Sequence, residues 1–366
     1  MLPTSRLRFG ICAALPLLLI VPACAQQSPA KLSEEQHYRR AEPLVRAELA
    51  KQPQDVEALV VLSTVEWSYG NLDQAQAAAE KAVAIADNNA AAHAQLVNIL
   101  GAKLASKRAG AMEKMSMSHR FRKEAERTLQ LDPGNVYAHE ALARYYWYAP
   151  SIAGGDKNKA MQMVDLVIHR DSTRGYALKA ELDATLDSSK DQSKAMADWK
   201  QAVALQPQSY QAHIGLGNAL LTAGGESWKA AEAEGERALA IDPSRGAAYR
   251  LLARVYAGTQ QWQKLDALLA RARTAVPDDR GEEFSAAQTI LDKNLQSQFP
   301  RAEEYLRSYL SMPTEGLEPS AAMAHWQLGL VLEKEGRRST ALQEVQTAAT
   351  LDPSLDGAKR DARRLQ

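Results

Sequence analysis

Apolar residues return at helical spacing, in paired runs, along most of this chain. In residues 246–279, Tyr249, Leu252, Ala253 and Tyr256 fall at i, i+3, i+4 and i+7, one face of a helix. Gly258 to Gln261 interrupt the pattern, and Trp262, Leu265, Leu269 and Ala272 then mark the face of a second helix. Pro277 ends it, because proline has no N–H to offer the helical ladder. Related closing phrases recur: AVAIAD at 82–87, TLQLDP at 128–133, AVALQP at 202–207, ALAIDP at 238–243 and AATLDP at 348–353. The shortest interval between closing positions is 34 residues. A unit of that size cannot bury its apolar faces alone, so the pattern predicts an all-α solenoid of stacked helical hairpins.

Two units show a finer signature. Residues 322–355 carry His325-x2-Leu328-Gly329-x2-Leu332, then Ala341, Val345, Ala348 and Pro353. Residues 210–245 carry His213-x2-Leu216-Gly217-x2-Leu220, then Ala231, Ala238 and Pro243. This resembles the tetratricopeptide repeat, and the likeness covers about 300 residues. It implies a right-handed superhelix of about eight helix-turn-helix repeats. The repeats fall at about 56–89, 90–135, 136–174, 176–209, 210–245, 246–279, 280–316 and 322–355, within a solenoid over 34–355. An unpaired leading helix is expected near 34–52, and a charged capping helix at 356–366. Repeat 2 holds about 12 extra residues around 101–115, and repeat 3 about five around 149–156. Repeat 7, with Phe299-Pro300 and Met312-Pro313, is the most degenerate.

The N-terminus reads differently. Arg6 and Arg8 precede an apolar stretch, Ile11 to Val21, too short to span a bilayer, and Ala23-Cys24-Ala25 has the form of a cleavage site. Residues 1–25 are therefore expected to be an export signal, followed by a disordered linker at 26–33, with a periplasmic destination. Cleavage after Ala25 removes both cysteines, Cys12 and Cys24. Val21-Pro22-Ala23-Cys24 also resembles a bacterial lipobox, which implies lipid anchoring through Cys24; Val and Pro depart from its usual residues. The chain without this segment carries 42 basic and 44 acidic residues, so no cationic excess favours nucleic acid.

Candidate chemistry is sparse. No GxSxG, glycine-rich dinucleotide fingerprint or HExxH is present, so no enzyme and no cofactor are predicted. His93, His139, His213 and His325 all stand at the fourth position of a first helix, where packing in the helical seam is the plain reading. Met112, Met115, Met117 and His119 group soft donors suited to Cu(I); methionines filling the gaps around an insertion are the alternative. Glu282-Glu283 and Glu303-Glu304 read as solvated faces. In Ile152-Ala153-Gly154-Gly155-Asp156 the glycines read as a turn, with Asp156 capping the helix that follows.

The family likeness places positions 2, 5, 9 and 12 of each first helix on the concave groove. In repeat 3 these include Tyr137, Arg144 and Trp147, with Tyr148 beside them; repeats 5 and 6 add Asn218, Arg250 and Arg254. Aromatic residues beside arginine suit a protein or peptide partner, and Arg250 with Arg254 suit a carboxylate. The resemblance thus implies a scaffold that holds an extended segment. The alternative is an accessory for small-solute uptake or copper handling, which predicts a closed pocket near repeats 2 and 3.

Overall fold

A computed structural model describes residues 28–105, 111–183, 191–313, 316 and 319–366. The segment expected to direct export, with Cys12 and Cys24, lies outside them. The described residues form nineteen α-helices. The chain opens with α1 (Pro29–Glu34) and α2 (Tyr38–Lys51). Hairpins follow as α3 (Val56–Ser68) with α4 (Leu72–Ile85), and α5 (Ala90–Ala105) with α6 (Ala111–Leu131). Next come α7 (Val136–Tyr148) with α8 (Lys157–Arg170), and α9 (Ser172–Asp183) with α10 (Asp191–Leu205). Then stand α11 (Tyr210–Ala223) with α12 (Ser227–Ile241), and α13 (Gly246–Gly258) with α14 (Trp262–Ala275). The last pairs are α15 (Gly281–Asp292) with α16 (Phe299–Leu310), and α17 (Ala321–Lys334) with α18 (Arg338–Leu351), before α19 (Asp356–Leu365). None is long and apolar enough to cross a membrane.

The closing phrases earn their recurrence through two hydrogen-bonding devices. Asp132, Asp242 and Asp352 each accept from the N–H two residues on, at 3.0, 3.0 and 2.8 Å, folding the turn that proline begins. The next first helix then reaches back with its fourth residue. His139 Nε2 lies 3.1 Å from Pro133 O, His213 Nε2 3.0 Å from Pro207 O, and the Tyr249 hydroxyl donates to Pro243 O at 3.0 Å. These side chains satisfy carbonyls that a helix end leaves free. His93, His213 and His325 also meet a glutamate of their own second helix, Glu124, Glu234 and Glu344, at 2.6, 2.5 and 2.7 Å. In repeat 3 the equivalent position is Met163, and His139 Nδ1 is buried with no partner.

Small residues set the helix spacing. Ala75, Ala82, Ala231, Ala238, Ala341 and Ala348 are fully buried, and a Cβ on Gly217 would stand 2.4 Å from Leu251 Cδ2. Successive first helices from α3 to α17 touch in series and form the inner layer of the solenoid. The ends are covered. Ala358, Ala362 and Leu365 of α19 bury against the last hairpin, and Trp326 Nε1 donates to Asp361 at 2.9 Å.

Two expectations need correction. Residues 29–34 are helical rather than linker: Leu32 is buried and α1 packs on α2 and α3, so the leading helix is paired. Glu282 and Glu283 are fully buried in the first turn of α15, where α13 and α16 pack. In repeat 7, the most degenerate, Pro300 stands at the start of α16, a position whose N–H has no helical acceptor.

The superhelix also returns on itself. Arg40 Nε lies 2.6 Å from Asp278 Oδ2, close enough for an ion pair though not aligned as a hydrogen bond. His37 Nδ1 lies 3.6 Å from the same oxygen, and Arg39 donates to Pro313 O at 3.4 Å. Burial, then the Arg40 charge, pushes His37 below its usual range, so Arg40 carries the positive charge of this contact.

Candidate functional site

Among the described residues, the extra length of repeat 2 falls in the two helices themselves. They run to 16 residues in α5 and 21 in α6, against 13 and 14 in the repeat before. The projecting ends form one wall of a cavity of about 1230 Å³ on the inner layer. Leu104, Met115 and Phe121 line it, together with Trp67 of α3, Tyr148 and Ile152. The residues of repeat 3 after α7 hold the far side. Tyr145 donates its hydroxyl to Ala153 O, and Asp156 Oδ1 accepts from the N–H groups of Asn158 and Lys159 at 2.9 and 3.2 Å, capping α8. Gly155 is required there, since a Cβ would fall 1.8 Å from Ala149 O.

Polar groups at the cavity floor satisfy one another. Glu140, 6 % exposed, accepts from Arg174 Nε and Nη2 at 2.6 and 3.0 Å, and from Arg144 Nη1 at 3.4 Å. Arg144 also donates to both oxygens of Glu181, at 2.7 to 3.2 Å. Burial acts against the Arg144 charge, but Glu181 and then Glu140 more than offset it and hold the group above its ordinary value. The Arg174 guanidinium stacks 4.0 Å from the Tyr137 ring centroid. Burial, then Glu181, raises the Tyr148 hydroxyl, which therefore stays protonated at neutral pH.

Apolar exposure concentrates here. Nine large hydrophobic side chains are exposed among the described residues, and five of them line this cavity: Trp67, Met115, Tyr137, Tyr148 and Ile152. Met112, 84 % exposed, lies one turn before Met115 on α6. Ile152 is wholly exposed. Isolated exposed hydrophobics carry little meaning, whereas a contiguous group marks a surface that contacts something.

The predicted residues divide. Tyr137, Arg144 and Tyr148 meet in this cavity. Trp147 does not: it is buried against Val164 and Leu178, under Lys157 at 4.9 Å. Asn218, Arg250 and Arg254 line a second pocket of about 390 Å³ with Phe284, Gln288 and Met323. Arg250 is already paired, with Asp279, so the two arginines do not act as one carboxylate edge. Arg254 donates only to Asn218 Oδ1, at 3.2 Å, and meets no carboxylate at ion-pair distance among the described residues. Burial holds its guanidinium below the ordinary range, while Asp292 acts more weakly in the other direction. The proposed copper ligands also separate. Met115 and His119 face the large cavity, whereas Met117 packs toward the core beneath α6. Sequence reasoning named Glu140 as a groove position but missed its partner Arg174, and it missed Phe121 and Ile152, which lie beside and within the insertions, as cavity lining.

The tetratricopeptide repeat family model matches residues 32–91, 193–246 and 296–356. Of the large cavity's lining, only Trp67 falls within the matched stretches. Yeast Tom70 is similar in structure, with 13% identity over 92% of this chain and 79% of that one, at a TM-score of 0.51. A TPR protein of Thermus thermophilus shares 19% identity over 54% of this chain and all of that one, at a TM-score of 0.45. No curated protein matches the sequence significantly. Together with a solenoid whose closing turns and small-residue contacts repeat, the family-model matches identify tetratricopeptide repeats in this chain.

Proposed function

We propose that the chain is a non-enzymatic binding scaffold whose concave face takes an extended segment of a protein partner. The observation that carries this is the clustering around one cavity of five of the nine large hydrophobics exposed among the described residues. Because the charged groups on the floor are already paired, the cavity favours uncharged side chains, with aromatic or branched apolar residues as anchors. Arg254, a half-buried cation without a carboxylate, suits an acidic group of the same partner in the second pocket. The fold itself is one that serves as a protein-interaction scaffold.

Peptides selected from a random displayed library on the wild-type chain should carry a large apolar residue at the contact. They should bind the Ile152→Glu/Met115→Glu variant at least tenfold more weakly, about 1.4 kcal/mol. Equal affinity for both proteins would remove this cavity from the site. A small apolar solute is the second reading, favoured by the walls that α5, α6 and Ile152 raise around the cavity. Mass spectrometry of an organic extract of the purified protein distinguishes it: a stoichiometric apolar compound, absent from the same variant, would replace the peptide reading.

We also propose export, supported by the basic, apolar and small-residue order of residues 1–25. The expected mature N-terminus is Gln26 without modification. A diacylated N-terminal Cys24 in the intact mass would instead select membrane anchoring.

A further inference from the structure

The concave face is not an open trough. A third cavity, about 380 Å³, lies where repeat 1 faces repeat 6, and the turn between α1 and α2 forms part of its wall. Trp67 borders both this cavity and the large aromatic one. Arg250 borders both this cavity and the Arg254 pocket. The three spaces therefore follow one another along the inner layer, and residues 35–38 stand at the middle one.

The turn is held there from both sides. Gln36 has φ +67°, and the His37 N–H donates to Leu32 O at 2.7 Å, which closes α1 against the start of α2. Across the gap stand the Arg40–Asp278 ion pair and the Arg39 hydrogen bond to Pro313 O. Gly316, at φ +95°, lies beside Ser68, where an added Cβ would stand in ordinary contact, 3.4 Å from Ser68 O. Asp278 has a side chain only 13% exposed, and its charge is met by Arg40 from a distant part of the chain. Such a pair depends on its geometry, because losing one member leaves a poorly solvated charge behind.

We propose that the α1–α2 turn is an intramolecular latch that pinches the groove between repeats 1 and 6, so that a segment reaching from the aromatic cavity to Arg254 must displace it. The proposal rests on the binding reading above for the identity of what displaces the latch, and on the Arg40–Asp278 contact for the latch itself. It gives α1 and α2 a role beyond capping the first repeat.

Charge reversal tests the latch without any ligand. Arg40→Glu should place two acidic side chains against each other, and Asp278→Arg two basic ones, while circular dichroism stays that of the wild type. Each single variant is expected to enlarge the radius of gyration in solution scattering and to speed amide exchange in residues 36–44 at least tenfold. The double variant Arg40→Glu/Asp278→Arg should restore both values. Wild-type scattering and exchange in the single variants, or a double variant as open as either, would overturn the latch. Peptides selected as above then report separately: open single variants should bind them more tightly, and unchanged affinity would refute displacement while leaving the latch standing.

Discussion

Replacing Glu282 by glutamine is expected to flatten the loss of stability that the wild type suffers as pH rises from 5 to 8.5. Glu282 is fully buried in the first turn of α15, and neither of its carboxylate oxygens has a hydrogen-bond partner. Burial, then the nearby Asp279 charge, pushes its carboxyl up to about 8 from an ordinary 4.5. Between those values the folded chain keeps a proton that the unfolded chain has released. Stability therefore falls with rising pH, by up to about 1.4 kcal/mol per unit for one such group. Over the window this amounts to roughly 3–5 kcal/mol, present in full below about pH 4.5 and gone above about 8. Glutamine cannot titrate, so Glu282→Gln should lack this slope, whatever constant offset its amide adds. The other titrating groups are common to both chains and cancel in the difference. Urea unfolding of both proteins at half-unit pH steps, followed on the C-terminal repeats by amide exchange, provides the comparison. Parallel curves across the window would show that Glu282 is ionised in the folded chain at neutral pH.

That buried acid illustrates where sequence reading stops. The repeat period was legible because each closing turn needs a helix stop, an Asx-type acceptor and a returning side chain, and these needs select recognisable residues at Asp132, Pro133 and His139. Alanines at the close contacts carried the rest of the period. Burial of Glu282 and Glu283 left no such mark. Adjacent acidic residues at a helix start look solvated, and only the packing of α13 and α16 around α15 encloses them.

The groove placement of Trp147 fails for a related reason. A first helix inside a solenoid is covered by the repeat before it and by the repeat after it. Tyr145 packs with residues of α6, Trp147 with residues of α8 and α9, and Tyr148 is exposed. Counting positions on one helix assigned Trp147 to the groove, because the count carries no information about the second covered side. The latch was invisible for a simpler reason: Arg40 and Asp278 belong to different repeats, far apart in sequence, and no periodicity relates them. What could be read was the location of the cavity. Insertions have to go somewhere, and lengthening α5 and α6 together raises a wall beside the groove.

Removal of the Glu140 carboxylate should produce the other large effect, at the floor of that cavity. Two arginines share Glu140, and only Arg144 has a second acidic partner, Glu181. Glu140→Ala leaves Arg174 stacked on Tyr137 without its carboxylate, in a floor that changes from neutral to net positive. Stripping one member from a buried pair typically costs 3–5 kcal/mol; both guanidinium groups here reach solvent, which places the expected loss at roughly 2–3 kcal/mol. Glu140→Gln keeps one acceptor oxygen and should lose about half as much. The control is Glu140→Leu combined with Arg174→Met, which removes both charges and preserves most of the volume. If the penalty belongs to a stranded cation, the double replacement recovers most of it, giving a coupling energy of at least about 1 kcal/mol in the cycle. A double variant as unstable as the sum of its parts would mean that Glu140 acts through packing alone. The cavity should respond as well. With Glu140 gone, Arg174 presents a free guanidinium to the occupant, and selection on the Ala variant should shift the recovered peptides from apolar anchors toward acidic ones. Wild-type and variant pools of the same composition would show that the paired floor does not set what the cavity accepts.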